Sequence, residues 1–137
     1  MNRLIVLLMS ALVVGCTSTS SLGTAADRLD RSAHRFYEQV YTDRAPSHTT
    51  DDAADLAEAT RDFNRAVDRM RSRDDLWLSF DRVAERYHHL RKQVEGPDPY
   101  YGDNSLAFER VTEAYLDVDR AMNYPDSRAH VDSRYHD

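Results

Sequence analysis

The chain has 137 residues, of which 24 are acidic and 18 are basic, so its formal net charge is −6 at pH 7. This acidic balance argues against binding nucleic acid or anionic lipid through a basic face. The chain contains a single cysteine, which excludes an internal disulfide. We therefore expect a fold that is held together by its hydrophobic core.

Residues 1–16 have the layout of an export signal. Arg3 supplies a positive charge, an almost wholly apolar run of 11 residues extends from Leu4 to Val14, and Gly15 precedes Cys16. The run is too short for a membrane-spanning helix, which needs roughly 20 residues. A soluble secreted protein would show an Ala-x-Ala-like cleavage site where this chain has Gly15-Cys16. In the order and spacing of its parts, the segment resembles the signal peptide of a bacterial lipoprotein.

The resemblance implies that residues 1–15 are a cleaved signal peptide and that the next residue carries lipid. Cys16 would become the first residue of the mature protein, with a thioether-linked diacylglycerol on its sulfur and usually a further fatty acyl chain on its amine. Two buried chains give stable anchoring to a membrane. A cysteine committed to lipid is excluded as a metal ligand, as a haem attachment point and as a catalytic nucleophile.

Residues 16–23 comprise this cysteine and a short polar tether, which keeps the domain within ~25 Å of its lipid. Thr17 and Ser18 follow the acylated cysteine, and no Asp stands at the position that commonly retains lipoproteins in the inner membrane. We therefore expect the protein on the periplasmic face of the outer membrane. Removal of the signal leaves 122 residues with 17 basic and 24 acidic side chains, a charge of −7 and the length of one domain.

Beyond the tether, apolar residues recur at helical spacing in four segments, which predicts an all-α domain over residues 24–125. The predicted helices span about 24–43, 51–71, 73–95 and 104–123. Their apolar stripes are Leu29, Ala33, Phe36 and Val40; Leu56, Thr60, Phe63, Val67 and Met70; Leu76, Phe80, Val83, Tyr87, Leu90 and Val94; and Phe108, Val111, Tyr115, Val118 and Met122. The expected N-caps are Thr24, either Thr49 or Thr50, and Ser72.

The third and fourth segments are copies of one pattern. Phe80 to Leu90 aligns with Phe108 to Val118 at an offset of 28 residues, and the first two segments match more weakly at an offset of 27. The short connections favour antiparallel neighbours, so we predict an up-down-up-down four-helix bundle. The alternative, a fragment of a helical-hairpin solenoid, generally requires three or more repeats. Each helix has one phenylalanine, and the prediction is a single central layer of Phe36, Phe63, Phe80 and Phe108.

Two patterns in the helices resemble cofactor sites in spacing. Glu85-x-x-His88 has the spacing of a motif that binds two iron or manganese ions in helix bundles. That site needs a second such motif, and the apolar stripe places Glu85 and His88 on the solvent side. Met70 and Met122 lie on core stripes, but no histidine accompanies them there, so we expect core filling rather than haem ligation.

The loop and the tail offer the remaining candidates. Tyr100 and Tyr101, between the third and fourth helices, are either interface anchors or a lid on the end of the bundle. The polar tail, residues 126–137, could bind Zn²⁺ or Cu²⁺ weakly. Its weak candidate ligands are His130, His136, Asp126 and Asp132. A polar tail of this kind is more often disordered, so we expect no metal and no other cofactor.

Catalytic motifs are missing from the sequence: it has no Gly-x-Ser-x-Gly elbow, no glycine-rich phosphate loop and no His-Glu-x-x-His. We expect a non-enzymatic, lipid-anchored protein of the cell envelope that acts through protein contacts, as an adaptor, assembly factor or structural lipoprotein. Its partners are the membrane, through the lipid on Cys16, and an envelope protein, with no nucleic acid. The alternative is a periplasmic module that binds or senses a metal or small ligand, which an inward polar cluster would favour.

Overall fold

The computed structural model describes residues 21–96 and 105–123 and places four α-helices in them. The helices are α1 (Leu22–Thr42), α2 (Ser47–Asp68), α3 (Arg73–Val94) and α4 (Ser105–Asn123). α1 packs against α2 and α4, and α2 packs against α3. Arg28 near the start of α1 donates to Asp117 near the end of α4 at 2.7 Å, as antiparallel packing requires. The predicted all-α, up-down-up-down four-helix bundle is confirmed.

Two of the helix starts are capped by serine. The hydroxyl of Ser72 accepts from the backbone N–H of Asp75 at 3.2 Å, as the sequence predicts. α1 begins two residues earlier than expected, because Ser21 rather than Thr24 accepts the capping hydrogen bond. α2 begins at Ser47 instead of residue 51, because the carbonyl of Pro46 already accepts from the backbone N–H of Thr49 at 3.0 Å. The predicted cap at Thr49 or Thr50 is therefore wrong.

α1 and α2 end in the same type of turn, with a residue in the left-handed region. Met70 has a φ of 48° and Arg44 a φ of 55°. In each turn the backbone N–H of the residue after the left-handed one donates to a carbonyl five positions earlier. In the α2 turn the N–H of Arg71 donates to the Ala66 carbonyl at 3.2 Å, which ends the helix. α2 consequently stops at Asp68 and not at residue 71. Met70 is 91% exposed, so the prediction that it extends the core stripe is wrong.

The interior of the bundle is filled by apolar side chains from all four helices. The buried apolar residues are Ala25, Ala26, Leu29, Ala33, Phe36 and Val40 of α1; Ala53, Leu56, Ala57 and Phe63 of α2; Phe80, Val83, Tyr87 and Leu90 of α3; and Phe108, Val111, Ala114, Tyr115, Val118 and Met122 of α4. Thr60 is buried among them, and its hydroxyl donates to the Ala57 carbonyl at 3.0 Å. The core is therefore apolar, and a buried hydroxyl within it bonds to its own helix.

The four phenylalanines are all buried, but they form two pairs instead of one layer. Phe36 contacts Phe108 with ring centroids 5.4 Å apart, and Phe63 contacts Phe80 at 5.5 Å. Phe36 and Phe63 each lie near the C-terminal end of their helix. Because α1 and α2 are antiparallel, those ends are at opposite ends of the bundle. The prediction of a single central layer is therefore wrong.

The spacing between helices follows the size of the side chains between them. Alanines supply much of the contact surface of α1 and α2, with Ala25, Ala26 and Ala33 on one helix and Ala53 and Ala57 on the other. α3 and α4 contribute large rings, and their backbones approach each other less closely than those of the other neighbouring helices. The wider gap between α3 and α4 is where the structure concentrates its aromatic side chains.

Candidate functional site

Four stacked rings fill the gap between α3 and α4, and we call this column the aromatic seam. Its members are Phe80 and Tyr87 of α3 and Phe108 and Tyr115 of α4. Centroid distances are 5.5 Å for Phe80 and Tyr115, 4.1 Å for Tyr115 and Tyr87, and 5.8 Å for Tyr87 and Phe108. Interplanar angles between 10° and 19° make all three pairs stacked. The seam thus alternates rings from the two helices.

The repeated pattern in the sequence explains this alternation. In both α3 and α4 a tyrosine follows a phenylalanine by seven residues, which is two helical turns and an axial distance of ~10.5 Å. A seven-residue step keeps both rings on one face of the helix. When two such helices run antiparallel, a ring of one helix fits between the two rings of the other. The average distance between neighbouring ring centroids then falls to about 5 Å. Stacked pairs of this kind contribute roughly 0.5–1.5 kcal/mol each beyond area burial.

The two tyrosines give the seam a polar edge. The Tyr87 hydroxyl donates to the Thr112 hydroxyl at 3.1 Å. Burial, together with the negative charge of Asp119 and the proximity of Tyr87 and Asp81, raises the pKa of Tyr115 above the usual value of 10.0. Tyr115 therefore stays a neutral phenol at physiological pH. In this form its hydroxyl can donate a hydrogen bond.

His88 lies across the outer edge of the seam. Its ring meets Tyr87 at a centroid distance of 5.2 Å and Tyr115 at 5.9 Å, both edge-on. His88 and Glu85 are exposed, as their place beside the apolar stripe predicts. The stripe did not predict the contact between His88 and the tyrosines, although the position of His88 directly after the core residue Tyr87 was a usable signal. His88 thus contacts the seam from outside, and neither Glu85 nor His88 lines an inward site.

The described residues do not assemble a metal site. Residues 21–96 and 105–123 contain no group of three or more His, Cys, Asp or Glu side chains close enough to share an ion. One polar cluster joins α2 and α3: His89 Nε2 lies 3.3 Å from Asp52 Oδ2, and the Gln93 amide donates to the same oxygen. This cluster holds two helices together. The tail candidates His130, His136, Asp126 and Asp132 lie outside the described residues, as do Cys16, Tyr100 and Tyr101.

One side-chain oxygen on α1 and one on α2 lack the expected partner. Asp30 Oδ1 and Asn64 Oδ1 are buried and form no hydrogen bond in the structure. Leaving a buried acceptor unpaired costs about 1–3 kcal/mol. Nearby, the Arg61 guanidinium approaches His34 Nδ1 at 3.5 Å, and His34 Nε2 lies 3.4 Å from Glu38. His34 thus belongs to a polar network at the surface of these helices.

An open groove of about 640 Å³ lies at the turn between α1 and α2. Its lining residues are Tyr41, Thr42, Arg44, Ala45, Ser47, Thr50 and Asp51. Most of these side chains are exposed, and Tyr41 is exposed to 66%. The groove is a depression at one end of the bundle, without the enclosed polar group that a specific small-molecule site uses for orientation.

Comparison with known proteins identified no relative of this chain. It matches no protein-family model, no curated protein and no solved structure. In the part of the chain that the structure describes, none of the helices combines the length and the apolarity that crossing a bilayer requires.

Proposed function

We propose that this protein is a lipid-anchored component of the bacterial cell envelope that acts non-enzymatically through protein contacts. The anchor is supported by residues 1–16, whose charge, apolar run and Gly15-Cys16 ending resemble a lipoprotein signal. The observation that carries the contact role is the filled, apolar interior of the bundle. Because the core is occupied by its own side chains, the surface is what the fold offers to other molecules.

The outer side of α3 and α4 is the surface that best fits a protein partner. Five large apolar side chains are prominently exposed among the described residues, and three of them are Leu78 on α3 and Leu106 and Leu116 on α4. His88, exposed at the edge of the seam, adds a ring that combines apolar and polar atoms. Amphipathic rings and exposed aliphatic side chains are the usual anchors of protein interfaces. The role is that of an adaptor, an assembly factor or a structural lipoprotein.

Site-specific cross-linking tests the contact role. A photoreactive residue at Leu116 or Leu78, in the protein expressed in its own envelope, should give the same cross-linked partner from both positions. Glu58 is the matched control, because it is exposed on α2, a different helix from those that carry the two leucines. Equal cross-linking of many proteins from all three positions would contradict a specific contact surface.

Membrane fractionation tests the anchor and its location. The native protein should sediment with the outer membrane, and Cys16→Ser should no longer be recovered there, because the variant cannot accept the diacylglycerol. A Cys16→Ser protein that still sediments with the outer membrane would refute anchoring through this cysteine. Recovery of the native protein in the inner membrane would refute the predicted location while leaving the anchor intact.

A further inference from the structure

One end of the bundle brings the start of the domain next to an unusual turn. α1 and α2 are antiparallel, so the first residue of α1 and the last residue of α2 lie at the same end. Ser21, which caps α1, follows Cys16 by five residues. Five residues span at most ~18 Å even when fully extended. If Cys16 carries lipid, this end of the bundle lies within that distance of the bilayer, and we call it the anchored end.

The turn at the anchored end exposes an apolar side chain between arginines. Met70 is 91% exposed, the highest value among the large apolar residues described. Arg69 and Arg71 flank it, Arg73 follows at the start of α3, and all three are exposed. Within the described residues, none of these three arginines forms an ion pair with a carboxylate. We call Arg69, Met70, Arg71 and Arg73 the basic tip.

Three acidic residues lie close in sequence to the basic tip. Asp68 is the last residue of α2, and Asp74 and Asp75 lie in the first turn of α3. The two residues in α3 face the positive end of that helix dipole. In residues 21–96 and 105–123 none of these carboxylates pairs with the three arginines, whose side chains stay exposed beside Met70 although the whole chain is acidic.

Nothing in the fold requires a methionine at this position. Met70 takes a left-handed φ of 48°, a conformation that glycine adopts without steric cost. The equivalent turn at the opposite end has the same geometry, and there Arg44 occupies the left-handed position with a φ of 55°. Neither burial nor backbone geometry explains a large apolar side chain at residue 70. The Met70 side chain is therefore available for a contact outside the folded domain.

We propose that the basic tip is a second membrane contact, in which Met70 enters the boundary between headgroups and acyl chains while the arginines bind lipid phosphates. This inference rests on the proposed lipid anchor at Cys16, which holds the anchored end close to the bilayer. Arginine binds phosphate oxygens through two parallel hydrogen bonds. A flexible thioether side chain enters the acyl boundary without leaving a polar group unpaired.

The contact sets the orientation of the bundle. With the lipid and the basic tip both at one end, the helices stand away from the bilayer. Helices of about 20 residues are ~30 Å long, so the α1–α2 turn with Arg44 lies about that far from the membrane. The outer side of α3 and α4 then faces sideways into the periplasm, where a partner can reach it.

Spin labelling of the lipidated full chain in vesicles tests this orientation. The sulfur of Cys16 is blocked by lipid and the chain has no other cysteine, so Met70→Cys provides a unique thiol for a nitroxide label. Arg44→Cys is the matched control, because it places the same label on the same type of turn at the opposite end. Collision of each label with oxygen, which partitions into lipid, and with a water-soluble nickel chelate reports its depth.

At position 70 we expect the ratio of oxygen to nickel collisions to be several-fold higher than at position 44. The ratio at position 70 should fall in vesicles of phosphatidylcholine alone compared with vesicles that also contain phosphatidylglycerol, because fewer anionic headgroups attract the arginines. Arg69→Gln with Arg71→Gln should reproduce that fall. Equal ratios at the two positions would overturn the proposal, as would equal ratios in the two kinds of vesicle.

Mass spectrometry of the same samples separates this proposal from the proposed function. A diacylglycerol on Cys16 together with a water-exposed label at position 70 refutes the membrane contact and leaves the anchor standing. A Cys16 thiol without lipid refutes the anchor itself, and with it the premise of the contact.

Discussion

Removing one ring from the middle of the aromatic seam should lower the free energy of unfolding. Two substitutions of the same residue separate the contribution of stacking from that of burial. Tyr115 stacks on Phe80 at 5.5 Å and on Tyr87 at 4.1 Å. Tyr115→Leu keeps an apolar side chain but loses both stacked pairs, and at roughly 0.5–1.5 kcal/mol per pair we expect a loss of about 1–3 kcal/mol. Tyr115→Ala also loses the buried volume, and a loss of about 3–5 kcal/mol follows.

Urea denaturation measures these losses. The chain has one tryptophan, Trp77, and its ring lies 6.3 Å from Phe80, so its fluorescence reports on the neighbourhood of the seam. Circular dichroism provides a second probe, and coincident transitions confirm two-state unfolding. Tyr41→Leu is the control, because Tyr41 is mostly exposed and its loss should stay within about 0.5 kcal/mol. If Tyr115→Leu is as stable as the wild type, stacking in the seam does not contribute as argued.

Three further predictions concern the core, the turn and the ionisation of the seam. A double-mutant cycle of Phe36→Ala with Phe108→Ala should show a coupling energy of about 0.5–3 kcal/mol, whereas the effects of Phe36→Ala and Phe63→Ala on stability should be additive. Coupling of Phe36 to Phe63 and not to Phe108 would instead support a single layer of phenylalanines. Met70→Gly relieves the left-handed strain and should stabilise the isolated domain by up to about 1 kcal/mol, and a lower melting temperature would contradict this. The raised pKa of Tyr115 adds stability that is complete below the unfolded-state pKa and lost as the pH rises through the folded-state pKa. Denaturation midpoints measured across alkaline pH should therefore fall less steeply for Tyr115→Phe than for the wild type, and parallel curves would argue against this assignment.

The helical periodicity predicted the bundle because each apolar stripe must be buried against another. It could not predict the ends of α2, since Pro46 accepts the first backbone bonds there and a left-handed Met70 closes the other end. Threonine near a helix start and arginine near its end are compatible with several boundaries. Local hydrogen bonding, which the apolar pattern does not encode, decided between them.

Periodicity gives the face on which a residue lies but not its height along the bundle. For that reason Phe36 and Phe63 were predicted to meet, although they lie near opposite ends. The seam could be predicted from the sequence, because the repeated seven-residue step between Phe and Tyr in two antiparallel helices implies interleaved rings. The exposure of Met70 depends on where α2 ends, so only the folded chain reveals the basic tip.

The mass of the N-terminal peptide decides whether Cys16 anchors this bundle to a membrane. The protein is isolated from its own envelope, digested, and the N-terminal peptide measured by mass spectrometry. We predict a chain that begins at Cys16 and carries diacylglycerol, usually with a further acyl chain on the amine. A peptide that still contains residues 1–15, or a Cys16 without lipid, would contradict it.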